Sequence, residues 1–582
     1  MTSPSEPAPG PATKPSVAPE GGDRRLPHDR ILLTLGFLLA GWLVVLYAAW
    51  VSPVFAIPAN AQFGLLEVLP PTYWLGLGLV GVSVALAMRG SSDFLFGIVG
   101  ANLLGLFAFT APLFEPNAPI WDTYVHFTSA QAINTTGHLP LDPTLYATNW
   151  PGFYLATAFA NVLGGLPPIQ LVALFPLFSG IVTFLALFVF LDTFFDPQVA
   201  RPASVLSAVL CVWAQFHVSP QGIGLALALL VLATAWERRL PLRAANALLF
   251  LGLVVSHATS AIFLLAFFGV DFVLAALARL RSKAPESAGT LHSGKYNPIL
   301  TYAGVWLGWL FFVASGSADI AKTAVATQIG KILQIGETTA GIVAARSVEN
   351  IYVWPPRLRL AALGLFGLVG LLALAFLLRG KGERARARFL IATLIGLGAL
   401  GLADILFFGG FFYDRALMFF AIFVPGLCLY GFAKLHVRPI VKRAVIVVLL
   451  VGALAAASTT YYQEAFNFVP EQSVAVSEFL SAHGNRVLAV DGLFPQPIWR
   501  QNQGPGPWTD AGFFAIEPVP LSSVAGPSPS FAVFDPTARL WYIQGRGIEI
   551  YQQYEAQQAK YSLVYDNGFA QAYLLYSPPA GG

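Results

Sequence analysis

Asp122 and His126 are four residues apart in the stretch WDTYVHFTSAQAINTTGHLPLDPTLYATNWPGFY, Trp121 to Tyr154. On a helix that spacing puts a carboxylate and an imidazole on one face. Such a pair can activate a hydroxyl or position a cation, with the carboxyl pKa set by burial and neighbouring charges. The plainer alternatives are that Asp122 caps a helix beginning at Thr123 and that His126 is an interfacial or core histidine. His138 and Asp142 lie in the same stretch, and Asp142 before Pro143 reads as a turn residue. His257, in VVSHATSA, falls within or at the outer edge of an apolar run. An ionisable group there is either functional or a hydrogen-bonded structural histidine. Arg415, in Phe412-Tyr413-Asp414-Arg415, and Arg357 and Arg359, in WPPRLRL, are the cations suited to hold an anionic group at a membrane surface. Lys322, Lys331 and Arg346 are further candidates. The alternatives are snorkelling for Arg357 and Arg359 and pairing with Asp414 for Arg415.

These residues must be positioned by an apolar scaffold. Of 582 residues, AVILMFWYC make up 56% and DEKR 11%, where a soluble chain has roughly 45–50% and 25%. A polytopic, all-helical membrane protein follows. The net charge of +3 does not suggest a nucleic-acid binder. Cys211 and Cys428 each lie in an apolar run, so a disulfide framework and a cysteine metal site are both excluded. Thirteen runs read as spans: 31–51, 72–88, 94–113, 169–195, 203–217, 221–236, 244–256, 259–280, 298–315, 358–378, 389–408, 416–432 and 444–459. With the N-terminus inside, 22 of the 33 Lys and Arg fall in inside segments, in accord with the positive-inside bias. That parity requires a break at Ser256–His257.

The proline-rich residues 1–29 read as a disordered cytoplasmic tail. Residues 30–459 form the transmembrane domain, with external loops 114–168 and 316–357, and residues 460–582 a small extracytoplasmic α/β domain. Within the first loop, PGFYLATAFANVLGG, residues 151–165, suits an interfacial helix. The loop 316–357 is read as a lid over a substrate. In the C-terminal domain EQSVAVSEFLSAHG is helix-like and RVLAVDG strand-like, while Tyr565-Asp566-Asn567-Gly568-Phe569 is a hairpin signal.

An acid followed by aromatic and histidine positions, then Gly-His-Leu-Pro, a Tyr and Trp-Pro-Gly-Phe-Tyr opening a helix, resembles the first external loop of the GT-C fold glycosyltransferases. These multispanning enzymes take sugar from a polyprenyl-phosphate carrier. Phe412-Tyr413-Asp414-Arg415 is similar to the family's loop arginine, and the Tyr565–Gly568 hairpin to the one ending many members' outer domain. Two additional spans, within 31–88, precede the one that usually comes before the acid. The Trp-Trp-Asp motif of oligosaccharyltransferases and a second acid in the next loop, His217-Val218-Ser219-Pro220-Gln221, are lacking. The chain thus resembles the mannosyltransferase and aminoarabinose-transferase type more than oligosaccharyltransferases.

The resemblance implies an inverting hexosyltransferase in the plasma membrane that works on the outer face. Asp122 is its general base, and His126, His138, His257, Arg357, Arg359, Tyr413 and Arg415 bind substrate. The implied partners are a polyprenyl-phosphate-linked sugar, a glycan, lipid or protein acceptor, and membrane lipid. No nucleotide cofactor is needed. Metal dependence stays open, since one carboxylate and nearby histidines could suffice with substrate oxygens. The rival readings are a transporter or flippase of a lipid-linked or small polar substrate, and a non-catalytic assembly subunit.

Overall fold

The computed structural model describes residues 28–89, 92–141, 145–165, 168–236, 239–281, 298–319, 322, 326, 352–378, 384–404, 406, 412–435, 438–483, 486–489, 508–510, 521, 530–537, 539–540 and 548–575. The proline-rich tail and most of the loop 316–357, including Lys331 and Arg346, lie outside them.

Every one of the thirteen apolar runs lies on a helix. They are α1 (His28–Val51), α2 (Pro71–Met88), α3 (Asp93–Ala108), α6 (Pro168–Phe194), α7 (Pro197–Leu210), α8 (Pro220–Thr234), α9 (Leu240–Ser256), α10 (Ala258–Arg281), α11 (Ile299–Phe312), α12 (Trp354–Leu377), α13 (Arg384–Ala403), α14 (Tyr413–Lys434) and α15 (Pro439–Ala457). Between α3 and α6 come α4 (Trp121–Thr136) and α5 (Gly152–Gly164), besides the short helices Thr110–Phe114 and Tyr146–Asn149. Among the described residues seven helices are long and apolar enough to cross a membrane, which makes this an integral, multi-pass membrane protein. The chain breaks at His257, whose extended backbone (φ −150°, ψ 107°) separates α9 from α10.

One run departs from its expected bounds. The helix expected over 203–217 is α7, which starts six residues earlier because Pro197 occupies its first position, where a missing N–H costs nothing. It ends at Leu210, and the chain from Cys211 to Ser219 is not helical.

α14 is the central helix, buried from Met418 to Gly431. Close crossings are made where glycine leaves room. A Cβ on Gly41 of α1 would stand 2.8 Å from the Gly76 carbonyl oxygen of α2, and a Cβ on Gly76 2.8 Å from the Gly41 oxygen. The pair is fixed by Ser83 Oγ donating to Thr34 O at 2.7 Å, and Trp42 Nε1 donates to Asn102 Oδ1 of α3 at 3.0 Å. Two ion pairs tie other helices together. Arg201 Nη2 lies 2.6 Å from Asp93 Oδ1, joining α7 to α3, and Arg388 Nε lies 3.0 Å from Asp271 Oδ1, joining α13 to α10. A buried carboxylate of this kind is held by its partner, so Asp271 serves packing, which weakens the transporter reading.

α5 spans about 20 Å at 1.5 Å per residue. It buries Phe153, Tyr154, Thr157 and Ala158 and leaves Leu155, Phe159, Val162 and Leu163 exposed. That two-faced pattern is the one expected of a helix lying in the interface.

After α15 the chain makes a short helix, Glu464–Asn467, and then α16 (Glu471–His483). The strands β1 (Arg486–Ala489), β2 (Trp508–Asp510), β3 (Ser530–Phe534), β4 (Ser562–Asp566) and β5 (Gln571–Leu575), with α17 (Ile548–Gln558) between β3 and β4, complete an α/β region. The sheet order is β2-β1-β3-β5-β4; β1 is parallel to β2 and β3, and β5 antiparallel to β3 and β4. The β4–β5 hairpin turns where the Asp-Asn-Gly sequence places it. Gly568 has φ +79°, and its N–H donates to Asp566 Oδ1 at 2.8 Å, while Asn567 Oδ1 accepts from the N–H of Ala570 at 2.9 Å. α16 covers the sheet through Val476 and Leu480, which pack with Phe531, Val533 and Ala572.

Candidate functional site

The first turn of α4 is set by the residue before it. Ile120 has φ +71°, a conformation that is strained for a β-branched side chain. It is held there because its N–H donates to Asn467 O at 2.9 Å and its carbonyl accepts from Thr123 N–H at 3.1 Å. α4 begins at Trp121, and its N-cap Ile120 offers no side-chain bond. Asp122 is therefore not the cap; its side chain lies inside the first turn and is directed at other groups.

Those groups are two histidines. His126 Nε2 lies 3.3 Å from Asp122 Oδ2, as the four-residue spacing requires. His217 Nε2 lies 3.2 Å from the same oxygen. His217 is supplied by the irregular segment after α7, fixed by buried Val218 and by Pro220 at the start of α8. With Nε2 of His126 donating to the carboxylate, its Nδ1 accepts from the Tyr154 hydroxyl at 2.7 Å. Burial pushes the Asp122 carboxyl up, but His126 and His217 together more than reverse this and hold it well below the usual carboxylate range. It is an anion at all physiological pH values.

Asp122 and His126 line a cavity of about 770 Å³ together with Tyr146, His217, Gln221, His257, Arg359, Asp414, Arg415, Glu464 and others. The size suits a sugar and its phosphate. His257 is buried, with Nδ1 2.8 Å from Ser260 Oγ and Nε2 3.0 Å from Thr259 Oγ1. Burial first, then the charge of Arg415, lowers its pKa to about 3, so its imidazole is neutral. The Tyr146 hydroxyl accepts from Ala258 N–H at 3.4 Å; burial raises this phenol, while Arg415 acts in the opposite sense. Arg359 is anchored by two bonds to Thr459, Nε to Oγ1 and Nη2 to the carbonyl oxygen, both 2.7 Å. Its guanidinium also lies 4.8 Å from the Tyr462 ring centroid and 5.5 Å from that of Trp213, a cation–π arrangement.

The structure thus brings together five of the eight residues singled out in the sequence: Asp122, His126, His257, Arg359 and Arg415. The other three are elsewhere. His138 is exposed, with Nδ1 2.9 Å from Leu139 O. Arg357 is exposed, its guanidinium 5.9 Å from the Trp354 ring centroid. Tyr413 is exposed on the first turn of α14 and is not among the cavity-lining residues. Asp142 lies outside the described residues. His217 was hidden in the sequence by the apolar run expected over 203–217; the available signal was a histidine at the outer end of that run, just before Ser-Pro. Glu464 was likewise unmarked.

Neither a family model nor a curated relative matches the chain. Solved structures are similar in fold. The Archaeoglobus fulgidus oligosaccharyltransferase tethered to an acceptor peptide containing the NVT sequon is 12% identical. It aligns over 84% of this chain and 75% of its own, with a TM-score of 0.48. The archaeal oligosaccharyltransferase AglB from the same organism, in complex with an inhibitory peptide and a dolichol-phosphate, is 11% identical over 82% and 74%, with a TM-score of 0.46. The Archaeoglobus fulgidus oligosaccharyltransferase in the apo form is 11% identical over 83% of this chain and 75% of its own, with a TM-score of 0.45.

A metal at this cavity would have to share Asp122 with two imidazoles already on its Oδ2. Among the described residues no group of three or more His, Cys, Asp or Glu is arranged to hold a metal ion. An ionised carboxylate between two imidazoles can serve proton transfer and charge stabilisation.

Proposed function

We propose that the chain is a glycosyltransferase of the GT-C kind, moving a sugar from a polyprenyl-phosphate carrier to a hydroxyl acceptor on the outer face of the membrane, with inversion. The observation that carries this reading is a carboxylate held ionised by two imidazoles in a cavity that also presents Arg359 and Arg415.

Both imidazole contacts fall on Oδ2, so Oδ1 is the oxygen available to an acceptor hydroxyl. In the transfer the acceptor oxygen bonds to the anomeric carbon from the face opposite the phosphate. Its proton passes to Asp122, and the bond from carbon to phosphate oxygen breaks with its electrons leaving on the carrier. Arg415, with Arg359 behind it, offsets that charge as it develops. His126 and His217 orient the carboxylate, and the neutral His257 is a hydrogen-bonding group of the cavity wall. The N-terminus faces the cytoplasm and the C-terminal α/β region the outside, as the distribution of Lys and Arg indicates.

The test is the glycan and lipid mass profile of cells lacking the protein, complemented with wild type or with Asp122→Asn at matched membrane levels. The deleted strain loses one sugar, which the wild type restores and the Asn variant does not. Restoration by the Asn variant would sink the catalytic assignment, and an unchanged profile on deletion would remove the enzyme reading altogether.

A further inference from the structure

Two acids at the joint between the first outer loop and the segment after α15 are not used by the proposed transfer. Glu115 is 6% exposed and Glu464 3%. Both oxygens of Glu115 and Oε1 of Glu464 are buried without a hydrogen-bond partner among the described residues, as is the hydroxyl of Tyr124 on α4. The charge of Glu464 acts on Glu115 and that of Glu115 on Tyr124, so the three groups lie near one another. The segments carrying them are stitched together, with Ile120 N–H donating to Asn467 O at 2.9 Å and Asn117 Nδ2 to Val469 O at 3.0 Å. No arginine, lysine or histidine forms an ion pair with either acid among the described residues.

Glu115, a buried carboxyl with neither a cation nor a donor among the described residues, is costly, and Glu464 has a single side-chain donor, Asn467. Burial and the neighbouring acid raise Glu115 well above the usual range, and burial raises Glu464 to about 8. Three unpartnered carboxylate oxygens and a phenol buried at one joint offer a hard, all-oxygen donor set. Its two negative charges match a dication, and water can complete the shell.

We propose that Glu115 and Glu464, with Tyr124, form a binding site for a divalent cation of the calcium or magnesium type. It clamps the first outer loop to the chain following the last membrane helix. Asp122 is not part of this site; its Oδ2 is taken by His126 and His217. The inference stands independently of the sugar-transfer reading.

The test uses the full-length chain purified in detergent and stripped with a chelator, then titrated with Ca²⁺, Mg²⁺ and Mn²⁺, Mn²⁺ being followed by electron paramagnetic resonance. Saturable binding of one equivalent is expected, with a rise in the melting midpoint by mass action. Glu464→Gln should weaken binding by about two orders of magnitude, because affinity at such sites follows ligand charge, while Asp122→Asn binds as wild type. Absence of saturable binding to the folded wild-type protein overturns the proposal. So does binding that is lost in Asp122→Asn and kept in Glu464→Gln. The wild-type titration decides the matter even where a glutamine variant fails to fold.

Discussion

His217 offers the sharpest test of how the site works, because its imidazole is directed at Asp122. Its Nε2 stands 3.2 Å from Oδ2 with the imidazole 8% exposed, so the bond is made away from bulk water. A hydrogen bond to a charged group is worth about 1.5–3 kcal/mol, and each 1.36 kcal/mol is tenfold in rate, so His217→Ala should cost about 10–100-fold in transfer. His126 reaches the same oxygen at 3.3 Å, so the two losses should not add. The assay is initial rate of sugar transfer from a polyprenyl-phosphate donor by detergent-purified protein, normalised to the monodisperse fraction on size exclusion. It is run for His217→Ala in the wild-type and Asp122→Asn backgrounds. If His217 acts through the carboxylate, its removal matters little once the carboxylate is gone, and the residual rate falls by less than about threefold. An equal loss in both backgrounds would show that His217 contacts substrate directly, and no loss in either would refute the positioning argument.

Other outcomes follow from the same coordinates. Arg415→Gln should lower kcat/KM for the lipid-phosphate donor by about 10–100-fold, the worth of one charge-assisted bond, and an unchanged value with varied donor would place the phosphate elsewhere. Gly76→Val should cost about 1–3 kcal/mol by overpacking, since even its Cβ would stand 2.6 Å from Val45 Cγ2 and 2.8 Å from the Gly41 oxygen; a lowered melting midpoint in detergent is the readout. The Asp122 carboxyl is depressed by its imidazoles, so its stabilising contribution is present above the unfolded pKa of about 4 and is lost as pH falls below it. The difference in melting midpoint between wild type and Asp122→Asn should hold as pH is lowered to about 5 and shrink progressively below about pH 4.

The scaffold was readable because lipid imposes a simple rule: an apolar run of sufficient length becomes a helix. Even the break at His257 and the Asp-Asn-Gly turn were written locally. Asp122 and His126 were legible for the same reason, since their relation is fixed by one helical repeat. What a sequence of this kind does not display is contact across the fold. His217 meets Asp122 only because α7 stops at Leu210 and the chain runs irregularly to Pro220. The capping role considered for Asp122 failed because α4 starts two residues earlier than the sequence suggested, after a strained Ile120. His138 and Arg357 have the right residue types, but local turns and the direction of the α12 start aim them away from the cavity.

The bonds joining Asn117 and Ile120 to Val469 and Asn467 span about 350 residues of chain. Asp122 emerges early from the ribosome, yet the backbone that fixes its first turn is made only after the last membrane helix. A nascent chain therefore inserts almost all of its spans while its acid is still unplaced. The turn that places Asp122 is thus completed at the end of synthesis, when the residues following α15 close onto the first loop.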